Sequence, residues 1–290
     1  MRQGINQKLW LLSSLVLMVC IVACKKEDTI LPLQALGFDG KTALVLPSGS
    51  LRIKFNQRVT WKVTAGTATQ TAQDSLVYTA PSVVGAQRIT VKSEDNVNDS
   101  LVIKVVVTPR ADVLRPLQKG GYVLVFRHAA ADVGSDQTNS TVANWWKSCD
   151  SKLARQLNDL GKKEAEATGK VLKNLEIPVR RVFSSEFCRC FTTADLMALG
   201  VPTQQTKELT YYVYEEAKRY ENMMKLVDSQ IIDANNTVLV GHTGFMGTLP
   251  SPAPLADLNW GDAAVFQSVA GQPARFIAKI KVSEWTELAP

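Results

Sequence analysis

The stretch VLVFRHAAAD, residues 123–132, indicates the fold of the larger part of this chain. Its first four residues are apolar without interruption, which is typical of a strand buried on both faces of an α/β sheet. Sheets of that kind bind ligands beyond the carboxyl ends of their strands. Arg127 and His128 stand at that position. The stretch therefore predicts a buried strand that ends in a binding or catalytic site.

The second histidine of the chain has the same setting as the first. There are only two histidines, and His242 lies in NTVLVGHTG, residues 236–244, again just after an apolar strand. Because parallel strands end at the same edge of a sheet, we expect His128 and His242 to approach one another.

From residue 117 onward, strand and helix patterns alternate. Helical spacing in residues 158–175 places Leu160, Ala167, Val171 and Leu175 on one face, with Asn158 as the N-cap. The alternation predicts a three-layer α/β/α fold with a mainly parallel sheet over residues 117–290. Further strands are predicted in RRVFSS, NNTVLVG, DAAVF and ARFIAKIKV, and further helices in SEFCRCFTTADLMAL and EEAKRYENMMKLVDSQI.

Residues 34–108 have a different, all-β pattern. SLRIKF, RVTWKV, SLVYTAP, QRITVKS and DSLVIKVVV alternate apolar and polar residues between turn-forming segments. Short strands at this spacing favour a small β-sandwich, and VYTAPSVVGAQRITVKS resembles bacterial immunoglobulin-like domains. Residues 109–116, with a proline at each end, are predicted to be a linker.

The N-terminus is typical of an export signal. Arg2 and Lys8 precede a 15-residue apolar segment, LWLLSSLVLMVCIVA, which is shorter than the roughly 20 residues of a membrane span. It ends at IVAC, residues 21–24, which resembles the lipobox of bacterial lipoproteins. The resemblance implies a signal peptide over 1–23, lipidation of Cys24, a tether over 24–33 and a location in the cell envelope, either periplasmic or surface-exposed. An ordinary secretory signal and an uncleaved anchor helix are the alternatives.

Composition narrows the partners. The chain is 46% hydrophobic and 21% charged, with a net charge of only +6, and it has no basic cluster interleaved with aromatic residues. Nucleic-acid binding is therefore not indicated. The two histidines and the cysteines lack the compact spacing of metal ligands, so we expect no metal and no other cofactor.

Four side chains form the candidate site. Arg127 and His128 follow one strand, Arg189 lies on the helix after a second, and His242 follows a third. Guanidinium groups bind phosphate oxygens, and imidazole is a known covalent nucleophile. This set of residue types predicts phosphoryl chemistry without a metal.

The segments FRHAAAD, LNDLGKKEAEATG, VFSSEFCRCFTTA and VLVGHTG, in that order, resemble the histidine phosphatase superfamily, in its phosphoglycerate mutase-like branch. The resemblance implies that His128 is the phosphorylated nucleophile and that Arg127, Arg189 and His242 bind the phosphoryl oxygens. Export disfavours a glycolytic mutase, so hydrolysis of small phosphomonoesters is expected. In this family a glycine usually follows the first histidine. Here that position is Ala129, which resembles a subgroup of the family that has alanine there.

The residue that protonates the leaving group is left open among five carboxylates: Glu208, Glu215, Glu216, Asp262 and Asp132. Without such an acid, the alternative function is a surface module that binds phosphorylated or anionic ligands and does not turn them over.

Three cysteines remain after export besides Cys24, and an oxidising compartment favours pairing two of them. We expect Cys149 to pair with Cys188, because both flank the predicted site, whereas Cys188 and Cys190 are awkward partners on one helix. For Trp145 and Trp146, anchoring of their loop to the core is favoured over lining a substrate pocket. The same alternatives apply to Tyr211, Tyr212 and Tyr214.

Overall fold

Alternating apolar residues form two sheets in the first part of the chain. The computed structural model describes residues 31–38, 42–242, 249 and 251–289. The predicted signal peptide, residues 1–23, and Cys24 lie outside the described residues. The strands of the first part are β1 (Ala35–Leu36), β2 (Ala43–Val45), β3 (Ser50–Phe55), β4 (Val59–Val63), β5 (Thr67–Ala72), β6 (Ser75–Thr79), β7 (Gly85–Ser93) and β8 (Ser100–Val107).

These strands make two four-stranded sheets, in the orders β1-β3-β6-β5 and β2-β8-β7-β4. The inward residues of both sheets share one apolar core, to which Phe55 and Tyr78 contribute from the first sheet and Ile89 and Ile103 from the second. Burial of these side chains against each other is the main force that holds the two sheets together.

The second part combines a central sheet with helices. Its elements are α1 (Ala111–Leu117), β9 (Tyr122–Arg127), α2 (Asp159–Asn174), β10 (Val179–Ser185), α3 (Cys188–Leu196), β11 (Thr203–Thr206), α4 (Arg219–Asp228), β12 (Asn236–Gly241), β13 (Ala263–Val269), β14 (Gln272–Ile280) and α5 (Val282–Thr286). Short 3-10 turns occupy Trp145–Lys147, Lys207–Leu209 and Glu216–Lys218.

The central sheet has the order β11-β10-β12-β9-β13-β14. The first four strands are parallel neighbours, whereas β13 pairs antiparallel with β9, and β14 pairs antiparallel with β13. The sequence predicted a mainly parallel sheet, and this prediction did not include the two antiparallel pairings of β13. Strands β13 and β14 are joined by a tight turn at Gly271, which has a φ of +67°, and a hairpin of this kind can only be antiparallel.

Helices cover both faces of this sheet. On one face, α1, α2, α3 and α5 pack on Leu124, Phe126 and Val240. On the other, α4 packs on Val125 and Leu239. Both faces are thus removed from water, which explains the uninterrupted apolar runs of β9 and β12. In the described part of the chain, no helix has the length and apolar composition needed to cross a membrane.

The segment predicted as a linker, residues 109–116, is mostly helix α1. Ala111, Leu114 and Leu117 recur every three residues and are fully buried, so the segment gains more from packing as a helix than it would as an extended connection. Pro116 is accommodated in the last turn of that helix.

The residues after helix α1 and after helix α2 contact the β-sheet part of the chain directly. The Gln118 side chain donates hydrogen bonds to the carbonyl oxygens of Thr42 and Leu175, both at 2.8 Å. The backbone N–H of Thr42 donates to a carboxylate oxygen of Glu176 at 3.0 Å. Pro32–Pro290 accordingly form one compact unit.

Helix α2 begins where the sequence predicts, with the Asn158 side chain accepting a hydrogen bond from the N–H of Gly161 at 2.8 Å. Its predicted buried face is partly wrong, since Leu160 is 59% exposed. Gly161 and Gly169 face inward instead. A Cβ at Gly161 would lie 2.2 Å from the carbonyl oxygen of Ala130, so only glycine lets α2 approach the loop after His128 so closely.

Candidate active site

The ends of two neighbouring strands bring the histidines together. Strands β9 and β12 are in register with Arg127 opposite Gly241, so each histidine is the first residue after its strand. The N–H of His128 donates to the carbonyl oxygen of Gly241 at 3.0 Å. The two imidazole rings lie edge to face, with 5.3 Å between their centroids.

His128 is held in one tautomer. Its Nδ1 lies 2.8 Å from the carbonyl oxygen of Ala129, which can only accept, so Nδ1 carries the hydrogen and Nε2 keeps its lone pair. Burial, and then the charge of Arg189, hold the pKa of His128 well below its usual value. The residue is therefore a neutral imidazole with a free nucleophilic nitrogen at neutral pH.

Arg189 is the second residue of helix α3 and is fully buried. Its two terminal nitrogens donate to the carboxylate of Asp136 at 3.0 and 3.2 Å, and one of them also donates to the hydroxyl of Tyr211 at 3.1 Å. Its Nε is buried and has no hydrogen-bond partner among the described residues. A buried donor of this kind gains from an anionic ligand.

Arg127 is placed at the same edge, but its guanidinium is partly committed elsewhere. It donates to the carbonyl oxygen of Leu258 at 2.9 Å and lies 5.8 Å from the ring centroid of Trp260. Burial, and then the charge of Arg155, lower the pKa of Arg127. Burial and the nearby charge of Arg155 both disfavour the charged form of Arg127. A bound anion would offset this repulsion between the two guanidinium groups.

Arg155 was missed in the sequence. Its charge contributes to the lowered pKa values of His128, His242 and Arg127, which places it in the same cluster. Its Nε is buried without a partner among the described residues, as is that of Arg189. The sequence signal was weak, because Arg155 follows no predicted strand and precedes the cap of α2 by three residues.

His242 has a polar side and an aromatic side. Its Nε2 lies 3.0 Å from the hydroxyl of Ser185 and 3.3 Å from the sulfur of Cys190. The rings of Phe187 and Tyr211 lie 4.9 and 4.1 Å from it between centroids. Burial, and then the charge of Arg189, hold the pKa of His242 well below its usual value.

Cys190 is the free cysteine of the described residues, and it is buried. Burial raises the pKa of its thiol to about 12, so the sulfur is protonated and is a poor nucleophile. Of Cys190 and His128, only His128 therefore offers an unprotonated nucleophilic atom.

None of the five predicted carboxylates has a hydrogen bond to either histidine. Asp262 is buried, and its two oxygens accept from the backbone N–H groups of Asn259 and Val282, both at 2.8 Å. These bonds connect the turn before β13 to the start of α5.

The other four carboxylates are also engaged. Glu215 is exposed and pairs with Lys218, and Asp132 is exposed and accepts from Asn158. Glu208 is half-buried and accepts from the hydroxyl of Thr206.

Glu216 is the one of these five that lines a cavity beside the site. One of its oxygens lies 2.8 Å from Arg219, and the other accepts from the backbone N–H of Tyr212 at 2.7 Å. Of the five candidates for the proton donor, Glu216 is thus the one that lines this cavity, and both of its oxygens are engaged.

A disulfide joins Cys149 to Cys188, as predicted. It ties the long loop between β9 and α2 to the residue before Arg189. The same loop carries Asp136 and Arg155, so the disulfide and the Asp136–Arg189 ion pair hold the loop against the site. The described residues contain no group of three or more histidine, cysteine or acidic side chains arranged for a metal ion.

The α/β sheet thus brings a neutral histidine, a second histidine and three arginines to one edge, a set of groups suited to phosphoryl chemistry. Residues 123–226 match the family model of the histidine phosphatase superfamily, branch 1. This match lies within the α/β part and covers 104 of the 290 residues of the chain.

Solved structures with similarity to this chain include the proposed phosphohistidine phosphatase SixA from Agrobacterium tumefaciens, with 20% identity and a TM-score of 0.39 over 56% of this chain and 97% of that one. The protein histidine phosphatase SixA complexed with tungstate has 15% identity and a TM-score of 0.37, over 56% of this chain and 97% of its own. A mycobacterial glucosyl-3-phosphoglycerate phosphatase with inorganic phosphate has 12% identity and a TM-score of 0.36, over 57% and 98%. Among curated proteins, no sequence matches this chain.

Proposed function

We propose that the α/β part of the chain is a phosphatase that hydrolyses small phosphomonoesters through a phosphohistidine on His128. The observation that carries the proposal is the state of His128: Nδ1–H is bound to a carbonyl oxygen, burial keeps the ring neutral, and Nε2 is free. A neutral imidazole beside arginines is prepared for attack on phosphorus.

The reaction has two steps. The lone pair of His128 Nε2 attacks phosphorus as the bond to the ester oxygen breaks, and the departing oxygen takes a proton. Water then attacks the phosphohistidine and releases inorganic phosphate. Arg127, Arg155 and Arg189 offset the charge that develops on the phosphoryl oxygens, and His242 binds one of these oxygens through a proton that the two share. Glu216 is the proposed proton donor, and it acts once its contact with Arg219 is released.

The test uses the full chain in detergent with small phosphomonoesters. His128→Ala should abolish turnover, because it removes the nucleophile. Arg155→Ala, Arg189→Ala and His242→Ala should each lower kcat/KM by roughly two to three orders of magnitude, the loss typical of one transition-state contact. Quenching in alkaline denaturant should trap phosphate on His128.

Arg180→Ala is the matched control. Arg180 lies at the opposite end of strand β10, is 68% exposed and pairs with Asp233, so its loss should leave activity unchanged. If wild type binds phosphate and vanadate but hydrolyses no phosphomonoester, the alternative of a binding module replaces the phosphatase. Full activity in His128→Ala would contradict the mechanism.

We further propose that the chain is exported and anchored through a lipid on Cys24, with residues 34–108 as an immunoglobulin-like spacer. The motif IVAC after a short apolar segment supports this. Cys24→Ser should move the protein from the membrane fraction to the soluble fraction or leave it unprocessed. A processed Cys24→Ser chain that stays in the membrane fraction would contradict the anchor.

A further inference from the structure

A cavity of about 330 Å³ lies beside His242 and is lined chiefly by aromatic side chains. We call it the aromatic pocket; its walls include Trp145, Phe187, Tyr211, Tyr212, Asp136 and Glu216. Its volume is at the lower end of the range of small-molecule sites. It is large enough for one ring.

Two of its walls belong to the phosphoryl site as well. Phe187 and Tyr211 both contact the ring of His242, at 4.9 and 4.1 Å between centroids. The guanidinium of Arg189 lies 4.2 Å from the ring centroid of Phe187. A phosphoryl group bound by His242 and Arg189 therefore has the aromatic pocket next to it, behind the rings of Phe187 and Tyr211.

The acidic side chains of the pocket are already paired. Asp136 accepts two hydrogen bonds from Arg189, and Glu216 is 2.8 Å from Arg219. Burial raises the pKa of Tyr211, so its hydroxyl is neutral. The pocket thus presents ring faces and no uncompensated charge, which suits a flat, uncharged ring.

The walls of the aromatic pocket are buried on one side and exposed on the other. Trp145 is 6% exposed and packs edge to face on Phe187 at 5.9 Å. The disulfide lies four residues after Trp145 and one after Phe187, and it holds these two walls together. Tyr212, by contrast, is 50% exposed and forms the outer wall.

We propose that the aromatic pocket binds an aromatic ring carried by the leaving group, so that the substrates are phosphomonoesters of ring-bearing alcohols. The inference rests on the proposed function and deepens it. After hydrolysis the ring leaves with the released alcohol, and phosphate leaves from His128. A nucleoside and a simple aryl alcohol share this chemistry, and the experiment separates them.

The experiment compares benzyl, cyclohexylmethyl and ethyl phosphates, whose leaving alcohols have similar acidity but differ in the group that the pocket would hold. The kcat/KM for benzyl phosphate should be about tenfold or more above that for ethyl phosphate. It should also be about threefold or more above that for cyclohexylmethyl phosphate, because contacts between aromatic rings contribute binding energy beyond the burial of apolar area. Uridine 5′-monophosphate is run alongside. A higher kcat/KM for it than for benzyl phosphate identifies a nucleoside, and a lower one an aryl alcohol.

Tyr212→Ala should reduce the benzyl-to-ethyl ratio to about three or less, because it removes an exposed wall without touching the core. Tyr214→Ala is the matched control: Tyr214 is 43% exposed, lies two residues away and does not line the pocket, so the ratio should persist. Equal rates for benzyl and cyclohexylmethyl phosphates, or an unchanged ratio in Tyr212→Ala, would overturn the proposal.

Failure of the phosphatase proposal is distinguished by binding. Calorimetry with benzylphosphonate and ethylphosphonate needs no turnover. If wild type hydrolyses nothing but prefers benzylphosphonate about tenfold, and Tyr212→Ala loses that preference, the pocket stands and the catalytic function fails. Equal affinities for the two phosphonates would overturn the pocket whether or not the chain is a phosphatase.

Discussion

At the scale of single residues, the hydroxyl of Ser185 determines which nitrogen of His242 carries the hydrogen. Thr210 donates its hydroxyl hydrogen to the carbonyl oxygen of Thr206 at 2.9 Å, so it accepts from Ser185 at 3.2 Å. Ser185 has then used its own hydrogen and accepts from His242 Nε2 at 3.0 Å. His242 is therefore protonated on Nε2, and Nδ1, which lies 4.0 Å from the sulfur of Cys190, keeps a lone pair that can accept a hydrogen bond from a protonated phosphoryl oxygen.

Ser185→Ala should lower kcat/KM about five- to tenfold, the effect of losing one hydrogen bond of about 1 kcal/mol, because the His242 ring is no longer held in one tautomer. The ¹⁵N shifts of the His242 ring measure this directly and should show a mixture of tautomers in the variant.

Ser184→Ala provides the comparison. The Ser184 hydroxyl is buried and has no hydrogen-bond partner among the described residues, so its removal should leave activity within twofold and stability equal or slightly higher. An Nε2-protonated His242 with unchanged activity in Ser185→Ala would show that the hydroxyl does not position the ring.

At the scale of elements, a few small contacts hold α2, α3 and the loop between β9 and α2 around the site. Gly161 lets α2 lie on the backbone of Ala130, and the hydroxyl of Thr193 on α3 accepts from the N–H of Ala129 at 3.1 Å. The disulfide then joins the loop to the start of α3. The residues after His128 are thus fixed from two sides.

The disulfide should contribute strongly to stability. It closes a segment of 39 residues, for which loss of chain entropy in the unfolded state predicts about 4 kcal/mol. The double variant Cys149→Ser/Cys188→Ser should therefore lose up to that amount of unfolding free energy in urea titrations. Cys190→Ser, which leaves the disulfide intact, serves as the comparison, and equal stabilities of the double variant and wild type under oxidising conditions would contradict the prediction.

At the scale of the whole molecule, the only two histidines of the chain are both buried at one site. Burial lowers the pKa of each in the folded state, so the unfolded state binds protons more readily as pH falls. The stabilising effect is complete above the unfolded pKa of about 6.5 and is lost progressively below it. Stability should therefore fall between pH 6.5 and 5, by roughly 1.4 kcal/mol per pH unit for each histidine.

Urea denaturation at pH 7.5, 6 and 5 measures this dependence. The double variant His128→Gln/His242→Gln should have a flatter profile over the same range, because no other histidine titrates there. Parallel profiles for the variant and wild type would assign the acid sensitivity to carboxylates instead.

Much of the α/β part follows from local sequence patterns. Uninterrupted apolar runs predicted β9 and β12, and Asn158 predicted the start of α2, because these signals act within a few residues. The positions of Arg127, His128, Arg189 and His242 followed from the same runs, since parallel strands end at one edge.

The remaining features depend on contacts between distant residues. Helix α1 forms because Ala111, Leu114 and Leu117 find a core to pack on, although the flanking prolines suggest a linker. Leu160 is exposed because α2 is turned toward two glycines by close contact with Ala130 and Met197.

Local sequence patterns also did not identify Arg155 and Asp136 as site residues. They reach Arg189 only when the loop between β9 and α2 folds, and that loop is anchored by a disulfide between cysteines 39 residues apart. The sequence by itself determined which residues end the strands, since periodicity is a local property. The tertiary structure decided what surrounds them, because burial and ion pairing are set by neighbours that are far apart in the chain.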